Sequence, residues 1–129
     1  MPLPLHLSDI GQIALPVRDL ARAVRFYRDT LGMQFLFEAP PALAFFDCGG
    51  VRLMLDRPEQ PKFEHHSSIL YFRVPDINDA YASLQQQKVR LEDAPHLIHR
   101  FPDHELWMCF FYDTEENMLA LMSEVPIKR

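Results

Sequence analysis

The chain carries an internal repeat, and this repeat constrains its fold more than any other feature of the sequence. Residues 12–17 alternate in the manner of a half-buried strand, and Asp19 follows them as a helix N-cap. The same pattern returns 57 positions later. The matching pairs are Val17 and Val74, Asp19 and Asp76, Leu20 and Ile77, Ala23 and Ala80, Val24 and Tyr81, and Tyr27 and Leu84. Six matches in one register predict two copies of one structural module.

The apolar spacing after Asp19 predicts a helix that runs to about residue 31. Gly32 follows where a C-terminal cap belongs. The residues that fall on one face of this helix are Leu20, Ala23, Val24, Tyr27 and Leu31.

The later strands of the two copies repeat at a larger offset, because residues 45–47 and 53–55 return 66 positions later. The second copy therefore contains nine extra residues between Leu84 and Leu106. Each copy reads as a strand, a helix and three more strands, with modules at about 9–56 and 68–124 and a proline-containing linker at 57–67. The three later strands are predicted at 33–38, 42–48 and 51–56 in the first module and at 89–92, 106–112 and 118–123 in the second.

Strand alternation assigns the side chains to two faces of each predicted sheet. Apolar rows that suit packing under the helices are Ile13, Leu15 and Val17, and Leu70, Phe72 and Val74. The opposite rows mix polar, aromatic and small side chains: Gln12, Ala14, Pro16, Arg52, Met54, Asp56, Ile69, Tyr71, Arg73, Met118, Ala120 and Met122. Such a mixture is typical of a concave ligand-binding surface, and the alternative is a plain solvent-exposed face.

Composition limits the class of protein and its partners. The 129 residues are 48% hydrophobic with a formal net charge of −5, which is typical of one globular domain. The longest apolar run, residues 106–112, is too short to span a membrane. No Lys/Arg cluster longer than a dipeptide occurs, so we expect no nucleic-acid or membrane partner, and no nucleotide-binding motif indicates a cofactor.

The chain start and the cysteine content bear on the compartment. Residues 1–6 have no basic or apolar pattern of a secretion signal, so the cytoplasm is the expected location. Cys48 and Cys109 are too few for a disulfide framework and are interpreted as small strand residues.

The paired modules resemble the vicinal oxygen chelate superfamily, which includes glyoxalase I, bleomycin-resistance proteins, fosfomycin-resistance enzymes and extradiol dioxygenases. The segments that carry the resemblance are IGQIALPVRDLARAVRFYRDTLG at the start of the first module and FFYDTEENMLALMSE at the end of the second. The resemblance implies an α+β fold of two pseudo-symmetric βαβββ modules whose curved mixed sheets form a concave cleft. It also implies a homodimer, since members of this size commonly dimerise.

In metal-dependent members, the resemblance places the ligands on the first and last strands of each module. The corresponding positions here are Gln12, Met54, Ile69 and Ala120. Glutamine occurs at the first position in some members, but one neutral oxygen does not hold a hard divalent cation. We therefore expect no metal at the usual site. The turn that closes the last hairpin is also altered, to Asp-Thr-Glu-Glu-Asn at 113–117, so Asn117 or a glutamate must take any left-handed conformation there.

Three histidines in the inserted segment support a second hypothesis. His96, His99 and His104 share a stretch of ten residues with two carboxylates, Asp103 and Glu105. They would form a non-standard metal site, or one of them would act as a general base, with His96 as the weak catalytic candidate. The alternative is that the segment is only a polar loop. Trp107 is expected in the core, with stacking on a planar ligand as the alternative.

Two functions remain open from the sequence. The first is a metal-independent protein that binds a small organic molecule through Gln12, Arg52, Met54, Ile69, Tyr71, Arg73 and Ala120. Arg52 and Arg73 would favour an anionic ligand unless they pair with Asp56 or Glu124. The second is a metal-dependent lyase, isomerase or dioxygenase that uses the histidine segment.

Overall fold

A computed structural model describes residues 5–58 and 66–127. Residues 59–65, which make up most of the predicted linker, lie outside the described residues. The strands are β1 (Gln12–Pro16), β2 (Gln34–Ala39), β3 (Leu43–Cys48), β4 (Val51–Asp56), β5 (Leu70–Arg73), β6 (His96–Arg100), β7 (His104–Tyr112) and β8 (Met118–Pro126). Helix α1 (Leu20–Arg25) follows β1, and helix α2 (Ile77–Gln86) follows β5.

The strands form two four-stranded mixed sheets with equivalent topology. Their orders are β1-β4-β3-β2 and β5-β8-β7-β6, with the first pair of each sheet parallel and the others antiparallel. The predicted fold class, α+β with two βαβββ modules, is confirmed. No helix among the described residues is long and apolar enough to cross a membrane.

Helix α1 continues into a π-helical turn over Phe26–Thr30, which the sequence pattern does not predict. The Leu31 amide donates to the Phe26 carbonyl at 2.9 Å, an i to i+5 hydrogen bond that widens the helix. Both Phe26 and Tyr27 are buried, whereas the predicted apolar face includes only Tyr27.

The edge strand of the second sheet lies later in the chain than predicted. The range 89–92 makes one isolated bridge, between Leu91 and Phe111, and the regular strand β6 begins at His96. At this point the Asp93 side chain accepts the Phe110 amide at 2.7 Å, in place of a backbone carbonyl, and Pro95 has no amide to donate. These two residues interrupt the ladder between the bridge and β6.

One hydrophobic core joins the two modules on the helix-covered faces of their sheets. Its buried members come from both sheets and both helices, and they include Leu15, Ala23, Tyr27, Phe46, Leu53, Leu84, Phe111, Leu119 and Leu121. The predicted apolar rows on β1 and β5 face this core, and Trp107 also packs against it.

The turn between β7 and β8, residues 113–117, connects the second module to helix α1 of the first. Asp113 accepts hydrogen bonds from the Tyr27 hydroxyl at 2.7 Å and from the Asn117 amide at 2.8 Å. Asn117 Nδ2 donates to the Pro16 carbonyl at 2.9 Å, at the end of β1. Glu116 takes the left-handed conformation, with φ at 68°, as expected for a turn without glycine.

Glu115 is the central ionic group of this junction, and its side chain is fully buried. It accepts the backbone amides of Arg18 and Asp19 at 2.7 and 2.8 Å, at the start of α1. The Arg22 guanidinium binds both of its oxygens, with Nε and Nη2 at 2.8 and 3.1 Å. Burial opposes the charged form, but the hydrogen bonds from Arg22, Thr114 and the two backbone amides lower the pKa of Glu115 to about 2.

We predict that Tyr27→Phe destabilises the protein by about 1 to 2 kcal/mol, because it removes one donor from the buried Asp113 side chain. Burial, and then the Asp113 charge, raise the pKa of Tyr27 well above its ordinary value, so its hydroxyl remains a donor across the accessible pH range. Urea unfolding monitored by circular dichroism measures the change. Tyr81→Phe is the matched control, and an equal loss in both variants would contradict the assignment.

We predict that Glu115→Gln loses stability in a pH-dependent way. The native pKa of Glu115 lies below its ordinary value of 4.5, so its contribution is complete above about pH 5 and disappears as the pH falls toward 2. The shift corresponds to about 3 kcal/mol at neutral pH. Urea unfolding of wild type and variant between pH 2.5 and 7 should show the two curves converging in acid.

The neighbouring exposed residue supplies the control for this measurement. Glu116 pairs with Arg18 at 2.7 Å, with both side chains more than half exposed. Glu116→Gln is therefore expected to cost under about 0.5 kcal/mol at any pH. A pH-independent difference for Glu115→Gln would show that the lost interaction is not ionic.

Candidate functional site

The candidate ligand-binding residues lie on the helix-free faces, which are the sheet faces opposite the shared core. On the first sheet Gln12 is the register partner of Arg52, and Ala14 is the partner of Met54. On the second sheet Tyr71 is the partner of Ala120, and Arg73 is the partner of Met122. Ile69 lies one residue before β5 and is exposed.

On the first sheet the predicted residues Gln12 and Met54 contact each other, and Arg52 contacts Phe45, which was not predicted for the site. Gln12 Nε2 donates to Met54 Sδ at 3.6 Å. The Arg52 guanidinium lies over the Phe45 ring, 5.7 Å from its centroid. The Phe37 ring stacks on Phe45 at 4.6 Å between centroids, with an interplanar angle of 25°. We name Arg52, Phe45 and Phe37 the cation–aromatic cluster.

Phe45 and Phe37 were detectable from the sequence, although only in part. Period-2 alternation in the predicted strand 42–48 assigns Phe45 and Phe46 to opposite faces, and the register pairs Phe45 with Met54. Phe37 is harder to place, because the pairing of β2 with β3 shifts register between Phe35 and Phe37.

On the second sheet the predicted residues form a more covered surface. The Tyr71 and Phe110 rings contact each other edge to face at 5.8 Å, from the strands on either side of Ala120. Ala120 is fully buried, so its methyl group is covered in this chain. A cavity of about 390 Å³ opens near Arg73 and Glu124.

The two candidate arginines differ in their partners. Arg73 Nη2 lies 3.8 Å from Glu124 Oε1, and both side chains are largely exposed. Such an exposed pair at this distance is weak and can be displaced by a ligand. Within residues 5–58 and 66–127, no carboxylate lies within ion-pair distance of Arg52. Asp56, the other partner considered from the sequence, is buried.

Of the three histidines of the inserted segment, His96 and His99 lie on β6, and His104 begins β7. His99 and His104 each contact Phe101, with ring centroids 4.4 Å apart in both cases, so an aromatic ring contacts both imidazoles. His96 Nδ1 lies 3.1 Å from the Ala94 carbonyl and 3.5 Å from an Asp93 oxygen. In the described part of the chain, no three His, Cys, Asp or Glu side chains converge in a way that could hold a metal ion.

The four positions that correspond to metal ligands also do not fit a divalent cation. Gln12 and Met54 supply one amide and one thioether, and they contact each other. Ile69 and Ala120 supply hydrocarbon groups only, and Ala120 is fully buried. Hard divalent cations prefer carboxylate oxygens, and softer ones prefer imidazole or thiolate ligands. These four positions therefore do not form a metal site in this chain.

Comparison with known proteins agrees with this architecture. The family model described as Glyoxalase/Bleomycin resistance protein/Dioxygenase superfamily matches residues 9–121. The chain belongs to this superfamily. The resemblance inferred from the two module segments is thus confirmed, while the family includes proteins of different activities.

Two relatives align with most of this chain. The uncharacterized protein YraH of Bacillus subtilis is 28% identical, with 85% of this chain and 94% of that protein aligned. The metallothiol transferase FosB of Staphylococcus epidermidis is 29% identical over 66% of this chain and 64% of its own length.

Solved structures with lower identity share the fold. The lactoylglutathione lyase of Agrobacterium tumefaciens has a TM-score of 0.70 at 23% identity, covering 92% of this chain and 96% of its own. The antibiotic-binding protein TnmS3 of Streptomyces sp. CB03234 has a TM-score of 0.72 at 22% identity, covering 94% of this chain and 99% of its own.

We predict that Zn²⁺, Ni²⁺, Mn²⁺ and Fe²⁺ at equimolar concentration shift the unfolding temperature by less than about 1 °C, because a metal stabilises only where the native state supplies a binding site. Differential scanning fluorimetry of the untagged protein, together with elemental analysis, provides the measurement. A stoichiometric metal, or a shift that disappears in His96→Ala or His99→Ala, would contradict this prediction and assign the site to the histidine segment.

Proposed function

We propose that this protein binds a small organic anion on its helix-free faces and does so without the metal used by other members of its superfamily. The observation that carries the proposal is Arg52, whose guanidinium has no ion-pair partner among the described residues and lies beside the aromatic ring of Phe45. An arginine fork next to apolar surface is suited to a carboxylate or phosphate on an organic ligand.

Neighbouring polar groups support the same interpretation. Gln12 lies next to Arg52 across β1 and β4, and its amide can donate to a ligand oxygen when it exchanges its weak contact with Met54. Arg73 is a second cation on the helix-free face, and its long pair with Glu124 leaves it able to bind an anion. TnmS3, an antibiotic-binding protein, shares this fold, so the fold is compatible with binding a small organic molecule.

The proposal includes a homodimer in the cytoplasm. Apolar side chains that are 39 to 44% exposed occur on both outer edge strands, at Leu36 and Phe37 on β2 and at Leu97 and Ile98 on β6. Exposed apolar residues at sheet edges are suited to contact with a second copy. Both cysteines are free, as expected in a reducing compartment.

We predict that a panel of small carboxylates and phosphates contains a ligand that raises the unfolding temperature, in the presence or absence of EDTA. Arg52→Gln should weaken its binding by about 10- to 100-fold, since a charge-assisted hydrogen-bond pair is lost. Thermal shift followed by isothermal titration calorimetry measures both effects.

The exposed Arg25 of α1, which lies away from the helix-free faces, provides the matched control as Arg25→Gln. Equal affinity in Arg52→Gln and wild type, or binding that requires a metal, would contradict the proposed function.

A further inference from the structure

Four of the chain's six methionines lie on the helix-free faces, because their neighbours along the strands belong to the shared core. They are Met54, Met108, Met118 and Met122. Met54 lies on the first sheet, beside the anion site. The second sheet therefore carries three thioether groups that the anion site does not use.

Two of these methionines form a row with a histidine across three neighbouring strands. Met122 on β8 is the direct register partner of Met108 on β7, and Met108 is the direct partner of His96 on β6. Directly opposed residues point to the same face of a sheet, so all three side chains lie on the helix-free face. The register shift in β6 falls between Leu97 and His99, after this row. We name Met122, Met108 and His96 the methionine–histidine row.

The His96 ring has one nitrogen available for a ligand. Its Nδ1 lies 3.1 Å from the Ala94 carbonyl oxygen and 3.5 Å from an Asp93 carboxylate oxygen, and both oxygens are acceptors. In the neutral ring Nδ1 therefore carries the proton, and the lone pair is on Nε2. Nε2 has no hydrogen-bond partner within residues 5–58 and 66–127. Metal-binding histidines almost always donate their other ring nitrogen to a carbonyl, a carboxylate or water, as Nδ1 does here.

The spacing of the row allows one ion to contact all three side chains. Neighbouring strands lie about 4.8 Å apart, so Met108 stands one strand spacing from each outer residue. An ion above Met108 requires Met122 and His96 to lean inward by about 5 Å, which a flexible methionine side chain and an imidazole ring can span. Met108 and Met122 are half-buried and His96 is exposed, so the ion has access from the solvent.

We propose that the methionine–histidine row is a binding site for Cu⁺. Thioether sulfur is a soft ligand that selects Cu⁺, whereas a single imidazole does not hold Zn²⁺ or Ni²⁺ without further nitrogen, oxygen or thiolate ligands. This site is separate from the anion site on the first sheet and from the four positions that correspond to the superfamily's metal ligands. It goes beyond the proposed function and does not rest on it.

The charges around the row are compatible with a cation of a single charge. The Asp93 carboxylate beside His96 supplies a negative charge at one end. Arg73, the register partner of Met122, is the cation at the other end, and its guanidinium is 3.8 Å from the Glu124 carboxylate. One carboxylate thus faces each end of the row.

The experiment titrates the reduced, untagged protein with Cu⁺ under anaerobic conditions, in competition with the chromogenic chelator bicinchoninate. Wild type should bind one Cu⁺. Met108→Leu should weaken this binding by more than about tenfold, since losing a ligand costs at least as much as losing an outer-shell partner. Met122→Leu and His96→Gln should act in the same direction. Leucine replaces methionine with little change of volume, so the fold is kept, and circular dichroism checks this. Met118→Leu, on the same face but outside the row, is the control and should keep the wild-type affinity.

The cysteine thiols are the competing ligands, because thiolate also binds Cu⁺. Cys109 is buried, and burial raises the pKa of its thiol to about 11, so Cys48 is the more accessible thiol. Unchanged affinity in Met108→Leu and Met122→Leu would overturn the proposal, and loss of binding in Cys48→Ser would then assign the copper to that thiol. Absence of stoichiometric Cu⁺ binding by wild type would also overturn it. Neither result bears on the anion site, which Arg52→Gln tests separately.

Discussion

The burial of Glu115 at the start of helix α1 is the interaction on which the arrangement of the two modules depends. A buried carboxylate is unfavourable unless several donors compensate it, and here the donors are two backbone amides, the Arg22 guanidinium and the Thr114 hydroxyl. The carboxylate belongs to the second module, whereas the amides and the guanidinium belong to the first. Because the helix N-terminus also favours negative charge, the turn and the helix fit in one relative orientation.

Both this junction and the shared core lie on the helix-covered side of the sheets. The helix-free faces therefore contribute less to holding the two modules together. The equivalent helix-free faces of the two sheets present different side chains. The first carries Arg52 with two phenylalanines, and the second carries Tyr71 and Phe110 across a buried alanine. The proposed anion site includes Arg52 on the first face, which has no ion-pair partner among the described residues.

The sequence predicts the modules well, because strand alternation and helix spacing follow directly from what each face buries. It limits the left-handed residue of the 113–117 turn to Asn117 or a glutamate, since no glycine is present, and the structure shows that this residue is Glu116. It misplaces the edge strand at 89–92, because the interruption there depends on a side-chain hydrogen bond from Phe110 to Asp93 that no local pattern reveals. The cation–aromatic cluster was missed for a similar reason: Phe37 reaches Phe45 only through a register shift in β2.

The same separation between the two sides of each sheet explains how the fold persists with unusual residues at the positions of the superfamily's metal ligands. The positions that the resemblance assigns to ligands, Gln12, Met54, Ile69 and Ala120, lie outside the shared core, which is built from the opposite row of side chains. The glutamate and aspartate that the fold does need, Glu115 and Asp113, lie in the turn at the end of the strands. Since fold stability and site chemistry draw on different residues, the side chains of the helix-free face can differ between members of the superfamily while the architecture stays the same.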